Sequence, residues 1–247
     1  MNFGLIGKSL SHSFSKSYLE EKFIKENKSD FLYTNFDLEY LDTFSELVSK
    51  HHLLGLNVTK PYKEAIIPFL NELDVTAKEI GAVNCIKITW QNDTPFLKGY
   101  NTDYYGFAQS IKPFLEPIHQ RALILGTGGA SKAIAYALKN VGIEVYYVTS
   151  GEKKAANYFN YSDLNEHVLK AFKLIVNCTP LGMYPKTDTC PNIPFEFLTA
   201  EHLLYDLIYN PEETLFLRKG KTQGAVTING LNMLKLQADK AWEIWHS

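Results

Sequence analysis

The sequence predicts an α/β protein, and three observations lead to this prediction. Short apolar runs alternate with segments whose apolar residues recur three and four positions apart, as strands and crossover helices do. Several runs lack polar alternation, which is typical of parallel strands buried on both faces. A fresh strand–helix–strand pattern begins at RALILG, so the preceding region between Gly99 and Arg121 is a candidate domain boundary.

The predicted elements extend along the chain from Asn2 to Trp245. The strands, in order, are NFGLIG, FLYTNFD, LLGLNV, AVNCIKITW, RALILG, EVYYV, KLIVNC, LLYDLIY and GAVTI. The main helices are SKSYLEEKFIKEN, PYKEAIIPFL, TDYYGFAQSIK and SKAIAYALKNVG. Pro61 opens the second helix, since a proline in the first turn needs no N–H, and Gly142 ends the fourth. The tail NGLNMLKLQADKAWEIW is an amphipathic helix, but the pattern does not identify the domain on which it packs.

The composition excludes several classes of protein. The 247 residues carry a net charge of -2, so there is no electrostatic case for nucleic acid or an anionic membrane as a partner. We find no run of about 18 apolar residues and no signal peptide. The three cysteines, Cys85, Cys178 and Cys190, fit neither a zinc site nor a disulfide framework. We therefore expect a cytoplasmic protein without a metal site.

The segment RALILGTGGASKA predicts a dinucleotide site. It places Gly126, Gly128 and Gly129 directly after a predicted strand and at the start of a helix. Glycines let the backbone approach a pyrophosphate, and the helix N-terminus offers free N–H groups. The third position of the usual fingerprint is Ser131, which is still small. The order of strand, loop, helix and next strand favours dinucleotide binding over a plain turn.

The end of the next strand indicates which dinucleotide is preferred. An NAD site commonly has an acidic residue there to bind the ribose diol, whereas this chain has Thr149 and Ser150. Lys153 and Lys154 follow, and they either offer charge to a 2′-phosphate or form a solvated helix face. The sequence thus favours NADP, with NAD as the alternative.

Polar clusters follow several predicted strands. They are SLSHSFS, TKPYK, GAVNC and NTD. Because ligands of α/β sheets gather at the carboxyl ends of strands, the clusters predict a cleft lined by hydroxyls, amides, one lysine and one carboxylate. Such a cleft suits a small polyhydroxylated anion and needs no metal.

Two lysines, Lys60 and Lys63, stand where the predicted helix PYKEAIIPFL begins. The partial positive charge of a helix N-terminus disfavours a lysine cation, which suits the side chain to proton transfer. A carboxylate such as Asp103 would stabilise the cation again and fix its orientation. The alternative is that each lysine is an exposed helix residue. The pattern alone favours this alternative for Lys60 and leaves both interpretations open for Lys63.

Eight motifs, in order, resemble the shikimate dehydrogenase family. They are SHSFS, NVTKPYK, GAVNC, GYNTDYYG, GTGGASKA, NCTPLGM, DLIYNP and NGLNML with a later glutamine, and matches extend from Gly7 to Gln237. The resemblance implies an N-terminal α/β domain that binds shikimate, a Rossmann domain that binds NADP, and a C-terminal helix that returns to the first domain. It places the shikimate-binding domain at 1–101 and 231–247 and the NADP-binding domain at 102–230.

The resemblance also implies roles for individual residues. Lys63 is similar to the family's catalytic lysine, and Asp103 to its acidic partner. The implied substrate contacts are Ser13, Ser15, Thr59, Asn84, Asp103, Tyr209 and Gln237. The implied cofactor contacts are Gly126, Thr127, Gly128, Gly129, Ala130, Thr149, Ser150, Ile208 and Gly230. The implied reaction is reversible hydride transfer between NADPH and 3-dehydroshikimate, giving shikimate for aromatic amino-acid biosynthesis, by a monomer or homodimer.

Two features depart from the family pattern. The family usually has Asn-Arg-Thr after the second Rossmann strand, where this chain has Thr149, Ser150 and Gly151 and so lacks the arginine that pairs with the 2′-phosphate. The N-terminal motif usually contains prolines, where this chain has Leu10 and Lys16.

Three alternatives follow. A quinate or dual quinate/shikimate dehydrogenase shares these motifs, and the missing arginine favours it. A non-catalytic shikimate sensor is expected to lack Lys63 or Asp103 and to carry an added interaction module, and neither holds for this sequence. A dinucleotide-binding protein with an unrelated substrate domain does not account for the ordered N-terminal motifs.

Overall fold

The computed structural model describes residues 1–10, 14–28, 30–152 and 155–247. Within these residues the chain divides into two compact units, a first unit of 1–105 with 235–247 and a second unit of 106–234. Both changes of unit come four residues later than the sequence boundaries predicted at 101 and 231. They fall inside helices, where no turn signal marks a boundary.

The first unit is built on a mixed sheet. Its strands are β1 (Asn2–Gly7), β2 (Leu32–Asp37), β3 (Leu53–Val58), β4 (Glu72–Leu73), β5 (Cys85–Gln91) and β6 (Thr94–Tyr100). Its helices are α1 (Phe14–Lys25), α2 (Phe44–His51), α3 (Tyr62–Ala65), α4 (Val75–Ile80) and the start of α5 (Asp103–Ile111). The sheet order is β2-β1-β3-β5-β6-β4. β1 is parallel to β2 and β3, and β5 is antiparallel to β3 and β6.

The sheet of the first unit has an apolar cluster on each face. Along β1, Leu5 belongs to a cluster with Phe3 and Trp245, whereas its neighbour Ile6 belongs to a cluster with Leu56. Successive side chains of a strand point to opposite faces. Both sets are therefore buried, which explains why the strand lacks polar alternation.

The predicted strand AVNCIKITW and the run ending in LKGY form the β5–β6 hairpin. Asn92 and Asp93 connect the two strands, with φ of 47° and 63°. These positive angles are those of a type I′ turn, whose twist matches that of paired strands, and Asn and Asp accept them readily. The hairpin brings Cys85 opposite Tyr100, so the start of β5 and the end of β6 lie at the same edge of the sheet.

The second unit is built on a parallel sheet. Its strands are β7 (Arg121–Leu125), β8 (Glu144–Thr149), β9 (Tyr158–Asn160), β10 (Leu174–Asn177), β11 (Leu203–Asp206) and β12 (Val226–Ile228). Its helices are α6 (Gly129–Asn140), α7 (Glu166–Ala171) and α8 (Leu215–Thr222). The order is β12-β11-β10-β7-β8-β9, with each neighbouring pair parallel. Strand order therefore reverses at β7, between β8 on one side and β10 on the other, which is the switch point where α/β sheets bind ligands.

The last helix, α9 (Leu231–His246), runs from the second unit into the first. Its Trp242 and Trp245 rings pack in the apolar cluster that holds Phe3 and Phe23. Trp245 Nε1 donates to the Ile86 carbonyl at 3.0 Å. This confirms that the C-terminal helix returns to the first domain. None of the helices in the described residues, α9 included, is long and apolar enough to cross a membrane.

The prediction of one helix over PYKEAIIPFL is wrong. The structure has the four-residue helix α3 and then a 3₁₀ turn over Ile67–Phe69. Pro68 explains the interruption, because it has no N–H and its ring clashes with the preceding turn of an α-helix. Pro61 precedes α3 as its N-cap rather than forming its first residue.

Candidate active site

Lys63 and Asp103 form an ion pair in the first unit. Lys63 Nζ lies 2.6 Å from Asp103 Oδ2. The two side chains are 19% and 9% exposed, so the pair is largely shielded from water while Lys63 keeps some accessible surface. A short charge-assisted hydrogen bond of this kind fixes the position of both groups.

The sheet explains how residues 40 positions apart meet. Asn57 on β3 pairs with Cys85 on β5, and Cys85 pairs with Tyr100 on β6. The end of β3, the start of β5 and the end of β6 therefore share one edge. The segments that carry Lys63 and Asp103 leave the sheet at that edge, and Asn84 directly precedes β5 at the same edge.

Asn84 connects the ion pair to the C-terminal helix. Its Nδ2 donates to Asp103 Oδ1 at 2.8 Å and lies 3.4 Å from Gln237 Oε1. The structure thus brings together four of the predicted residues, with Asn84, Asp103 and Gln237 all buried. Thr102, which sequence reasoning did not single out, also joins the cluster, because its N–H donates to Asn84 Oδ1 at 2.6 Å. Thr102 lies within the quoted motif NTD, but nothing in that motif distinguishes it.

Asp103 is the first residue of α5, where a negative charge is favourable. Asn101 supports this helix start, since its Oδ1 accepts from the N–H groups of Asp103 and Tyr104 at 3.1 and 3.3 Å. Asn101 Nδ2 in turn donates to the Ala82 carbonyl at 2.9 Å. The carboxylate is therefore stabilised from two sides, by the helix N-terminus and by the Lys63 cation.

The two lysines at the start of the predicted helix have different environments. Lys60 is exposed, whereas Lys63 is half-buried beside Asp103. The helix α3 has only four residues, so few peptide dipoles align behind Lys63. The carboxylate, and not the helix end, is the dominant charge near Lys63.

The other predicted substrate contacts are more dispersed. Thr59 is half-buried between β3 and α3, and its N–H donates to the Ile6 carbonyl at 2.9 Å. Ser15 is half-buried in α1, and among the described residues neither side chain hydrogen-bonds to the Asn84 cluster. Tyr209 is half-buried in the second unit, after β11. Ser13 lies outside the described residues.

The loop Gly126–Ala130 in the second unit fits a pyrophosphate. Gly126 has a φ of 99°, which favours glycine, and a Cβ there would lie 3.0 Å from Thr179 Cγ2. A Cβ at Gly128 would meet no atom within 4 Å, so the backbone faces open space. Gly128 caps α6 without a side-chain hydrogen bond, which leaves first-turn N–H groups for a ligand. Thr127 is exposed, and Ala130 is half-buried.

The corner after β8 is a turn held by hydrogen bonds between side chains and the backbone. Asn160 Nδ2 donates to the carbonyls of Thr149 and Gly151 at 3.1 and 2.8 Å. The Gly151 N–H donates to Thr149 Oγ1 at 3.1 Å. Ser150 is exposed and no carboxylate occupies either predicted position, so the corner is open to ribose with or without a 2′-phosphate. Lys153 and Lys154 lie outside the described residues.

Ile208 and Gly230 are adjacent in the second unit, both buried. The Gly230 N–H donates to the Ile208 carbonyl at 3.0 Å. A Cβ at Gly230 would overlap the Leu207 carbonyl oxygen, so only glycine allows this close approach. Packing therefore explains why this position is a glycine, independently of its predicted place beside the nicotinamide.

Among the described residues, no group of three His, Cys, Asp or Glu side chains is arranged to hold a metal ion. Cys85, Cys178 and Cys190 are free thiols. Burial raises the pKa of the Cys85 and Cys178 thiols, which keeps both protonated at neutral pH.

Comparison with known proteins gives consistent matches over nearly the whole chain. Residues 5–86 match the family model described as the shikimate dehydrogenase substrate binding domain. The shikimate dehydrogenase (NADP(+)) of Desulforamulus reducens is 35% identical, with 98% of this chain and 88% of the relative covered. That of Carboxydothermus hydrogenoformans is 38% identical, with 98% and 90% covered.

Solved structures agree with these matches. Shikimate dehydrogenase from Aquifex aeolicus has a TM-score of 0.87 at 34% identity, covering 99% of this chain and 92% of its own. The Thermus thermophilus enzyme in complex with NADP(H) and shikimate has a TM-score of 0.83 at 29% identity, covering 99% and 93%. Quinate dehydrogenase from Corynebacterium glutamicum in complex with NAD has a TM-score of 0.86 at 26% identity, with the same coverage. From its motifs, its two units and these matches, this chain belongs to the shikimate dehydrogenase family.

Proposed function

We propose that this protein catalyses the reversible NADPH-dependent reduction of 3-dehydroshikimate to shikimate, a step of aromatic amino-acid biosynthesis. The observation that carries the proposal is the Lys63–Asp103 pair, 2.6 Å apart and joined to Asn84, in a chain of this family. The relatives named for NADP and the Thermus structure with NADP(H) and shikimate support the choice of cofactor and substrate.

The proton of the reaction is assigned to Lys63. Bound NADPH supplies the hydride to the ketone carbon. Lys63 Nζ donates a proton to the carbonyl oxygen as that oxygen gains charge, and it takes the proton back in the reverse direction. Asp103 Oδ2 holds the ammonium, while Asn84 holds the other carboxylate oxygen, so the lysine is positioned before the substrate arrives.

The remaining contacts follow the chemistry of the two ligands. Ser13 and Ser15 are assigned to the substrate carboxylate, and hydroxyl and ring contacts are assigned to Thr59, Asn84, Asp103, Gln237 and Tyr209. The loop Gly126–Ala130 and the start of α6 are assigned to the pyrophosphate, with Thr149 and Ser150 at the adenosine ribose and Ile208 and Gly230 at the nicotinamide. The open backbone at Gly128 and the uncapped start of α6 support the pyrophosphate assignment.

A second candidate is a quinate/shikimate dehydrogenase with relaxed use of NAD and NADP. The observation that favours it is the corner of Thr149, Ser150 and Gly151, which has neither an arginine for the 2′-phosphate nor a carboxylate for the ribose diol. The structural similarity to a quinate dehydrogenase in complex with NAD supports it further.

The test is the initial rate of nicotinamide reduction by the purified protein, with shikimate or quinate crossed against NADP or NAD. We expect a strong preference for shikimate with NADP. Comparable rates with quinate or NAD would favour the second candidate. No turnover in any combination, with shikimate still bound, would instead indicate a non-catalytic sensor.

We further propose cytoplasmic residence, as a monomer or homodimer. Free, buried thiols such as Cys85 fit a reducing compartment. Light scattering of the purified chain measures the oligomeric state directly, and fractionation of the source cells measures the location.

A further inference from the structure

Asp206 is a wholly buried carboxylate at the end of β11, with a relative exposure of 0%. Its Oδ1 accepts from Asn177 Nδ2 at 3.1 Å and from the Ile208 N–H at 3.0 Å. Its Oδ2 accepts from Thr214 Oγ1 at 2.7 Å. All three donors are neutral, and among the described residues no ion pair involves Asp206.

Burying an anion is unfavourable unless its hydrogen bonds are satisfied. Burial raises the pKa of Asp206 to about 6, even though the bonds from Thr214, Ile208 and Asn177 act in the opposite direction. An apolar side chain at this position would avoid this penalty. A function that depends on its three acceptor contacts explains the penalty.

The first contact leads toward the glycine loop. Asn177, at the end of β10, uses its Oδ1 to accept from the Thr179 N–H and hydroxyl at 2.9 and 2.7 Å. Thr179 packs beside Gly126, whose hypothetical Cβ would lie 3.0 Å from Thr179 Cγ2. Asp206 therefore fixes Asn177, Asn177 fixes Thr179, and Thr179 borders the start of the loop at the switch point between β10 and β7.

The second contact leads to Ile208 and Gly230. Asp206 Oδ1 holds the Ile208 N–H, and the Ile208 carbonyl accepts from the Gly230 N–H at 3.0 Å. The third contact, from Thr214, ties the same carboxylate to the N-cap of α8, where Thr214 Oγ1 also accepts from the Leu217 N–H at 3.3 Å. One carboxylate thus joins the segments that follow β10 and β11 at the carboxyl edge of the sheet.

We infer that Asp206 is a positioning residue for the cofactor, holding the segments after β10 and β11 in the arrangement that receives the dinucleotide. This inference rests on the proposed function, because it takes the carboxyl edge of the second unit as the NADP site. Asparagine keeps the shape but loses the charge and one accepting oxygen. With its NH₂ group toward Thr214, the Thr214 hydroxyl has to accept a hydrogen bond instead of donating one.

The experiment compares four variants of the full chain. Asp206→Asn removes one acceptor oxygen and the charge with little change of shape. Thr214→Val removes the third donor, and Thr214→Ser restores it. Thr222→Val is the matched control, because Thr222 is an exposed threonine of the same helix whose hydroxyl donates only to the Arg218 carbonyl.

We expect Asp206→Asn to raise the KM for NADP about tenfold, with the KM for shikimate within about twofold, as for the loss of one bond to a charged group. Thr214→Val should raise the KM for NADP by about threefold, and Thr214→Ser and Thr222→Val should resemble the unmodified protein. An unchanged KM for NADP in Asp206→Asn, or an equal rise in both KM values, would overturn the inference and leave a purely structural role. If Asp206→Asn does not fold, the contrast between Thr214→Val and Thr214→Ser decides by the same criterion.

Calorimetric titration of NADP into the protein alone separates this inference from the proposed function. If the unmodified protein binds NADP but does not oxidise shikimate, the proposed function fails, and the Kd values of the variants still decide the role of Asp206. If the unmodified protein binds neither NADP nor NAD, the inference is overturned as well.

Discussion

Each of the two units buries a carboxylate to which we assign a function, and the two carboxylates are stabilised in different ways. Asp103 in the first unit lies 2.6 Å from the Lys63 cation, at the N-terminus of α5, and accepts from Asn84. Asp206 in the second unit is held by neutral donors, and among the described residues none of its contacts is an ion pair.

The difference shows what each arrangement can do. A carboxylate paired with a partly accessible lysine can pass charge changes to a ligand that contacts the lysine. A carboxylate that is wholly buried at the end of a strand cannot contact a ligand. It can act only through the backbone segments that it holds in place. We therefore expect loss of turnover from changes around Asp103 and loss of cofactor affinity from changes in the second unit.

The largest effect is expected at Lys63. Lys63→Ala removes the proton donor, so kcat for shikimate oxidation should fall by about 10²–10⁴-fold, while the KM for shikimate changes much less. Initial rates at saturating NADP measure both quantities. Lys60→Ala is the matched control, since Lys60 is exposed and three residues away. Near-normal kcat in Lys63→Ala would remove this lysine from the mechanism.

The next effect tests the glycine loop of the second unit. Gly128→Ala should fold normally, because φ is -77° and the new Cβ would meet no atom within 4 Å. The methyl group would stand where the pyrophosphate approaches, so the KM for NADP should rise about tenfold or more. Gly230→Ala is the contrasting variant, since its Cβ would overlap the Leu207 carbonyl and lower Tm. Equal Tm losses in the two variants would contradict this separation of binding from folding.

A smaller effect is expected from Thr102→Val in the first unit. The change removes the hydroxyl that lies 3.0 Å from Asn84 Nδ2, and it keeps the Thr102 N–H that Asn84 also binds. Because Asn84 positions Asp103, kcat/KM for shikimate should fall by about threefold to tenfold. The KM for NADP should not change. A rise in that KM instead would mean that the two clusters are not functionally distinct.

The smallest effect is a pH dependence of stability from Asp206. Its pKa is 3.8 unfolded and about 6 folded, so the folded state holds a proton that the unfolded state has released. Stability from this group is therefore fully present below the unfolded pKa and is lost as pH rises through about 6. Between about pH 5 and pH 7 the loss is about 1 kcal/mol, or about 2–4 °C in Tm.

Thermal unfolding of the unmodified protein and Asp206→Asn across this range measures the effect. The Tm of the unmodified protein should fall relative to that of the variant as pH rises. The histidines His119 and His202 also have pKa values shifted by burial, downward in both cases, but they are common to both proteins and cancel in the comparison. A constant difference in Tm would show that Asp206 does not titrate in this window.

Periodicity predicted most of the elements because each long strand and helix buries a face that its own residues specify. The short strands β4 and β9, of two and three residues, carry no such signal. The segment after Pro61 was predicted as one helix because its apolar spacing is helical. In the structure Pro68 interrupts the α-helix, and a 3₁₀ turn follows.

The candidate site was predicted in part. The motifs indicated Lys63, Asn84, Asp103 and Gln237, and the structure brings these four together, while their roles stay predictions. Thr102 was not indicated, since a threonine between two polar residues has no pattern of its own. Asp206 was part of a quoted motif, yet no feature of DLIYNP shows that its carboxylate is wholly buried.

The sequence by itself determined the order of elements, the glycine loop, the presence of Thr149 and Ser150 in place of an acidic residue at the end of β8, and the family resemblance. These depend on residues close together in the chain, where spacing translates directly into backbone geometry. Only the tertiary structure decided which lysine meets a carboxylate, where the tail packs and how Asp206 is satisfied. Those outcomes depend on contacts between residues far apart in the chain, and the register of neighbouring strands, rather than local spacing, sets which of them form.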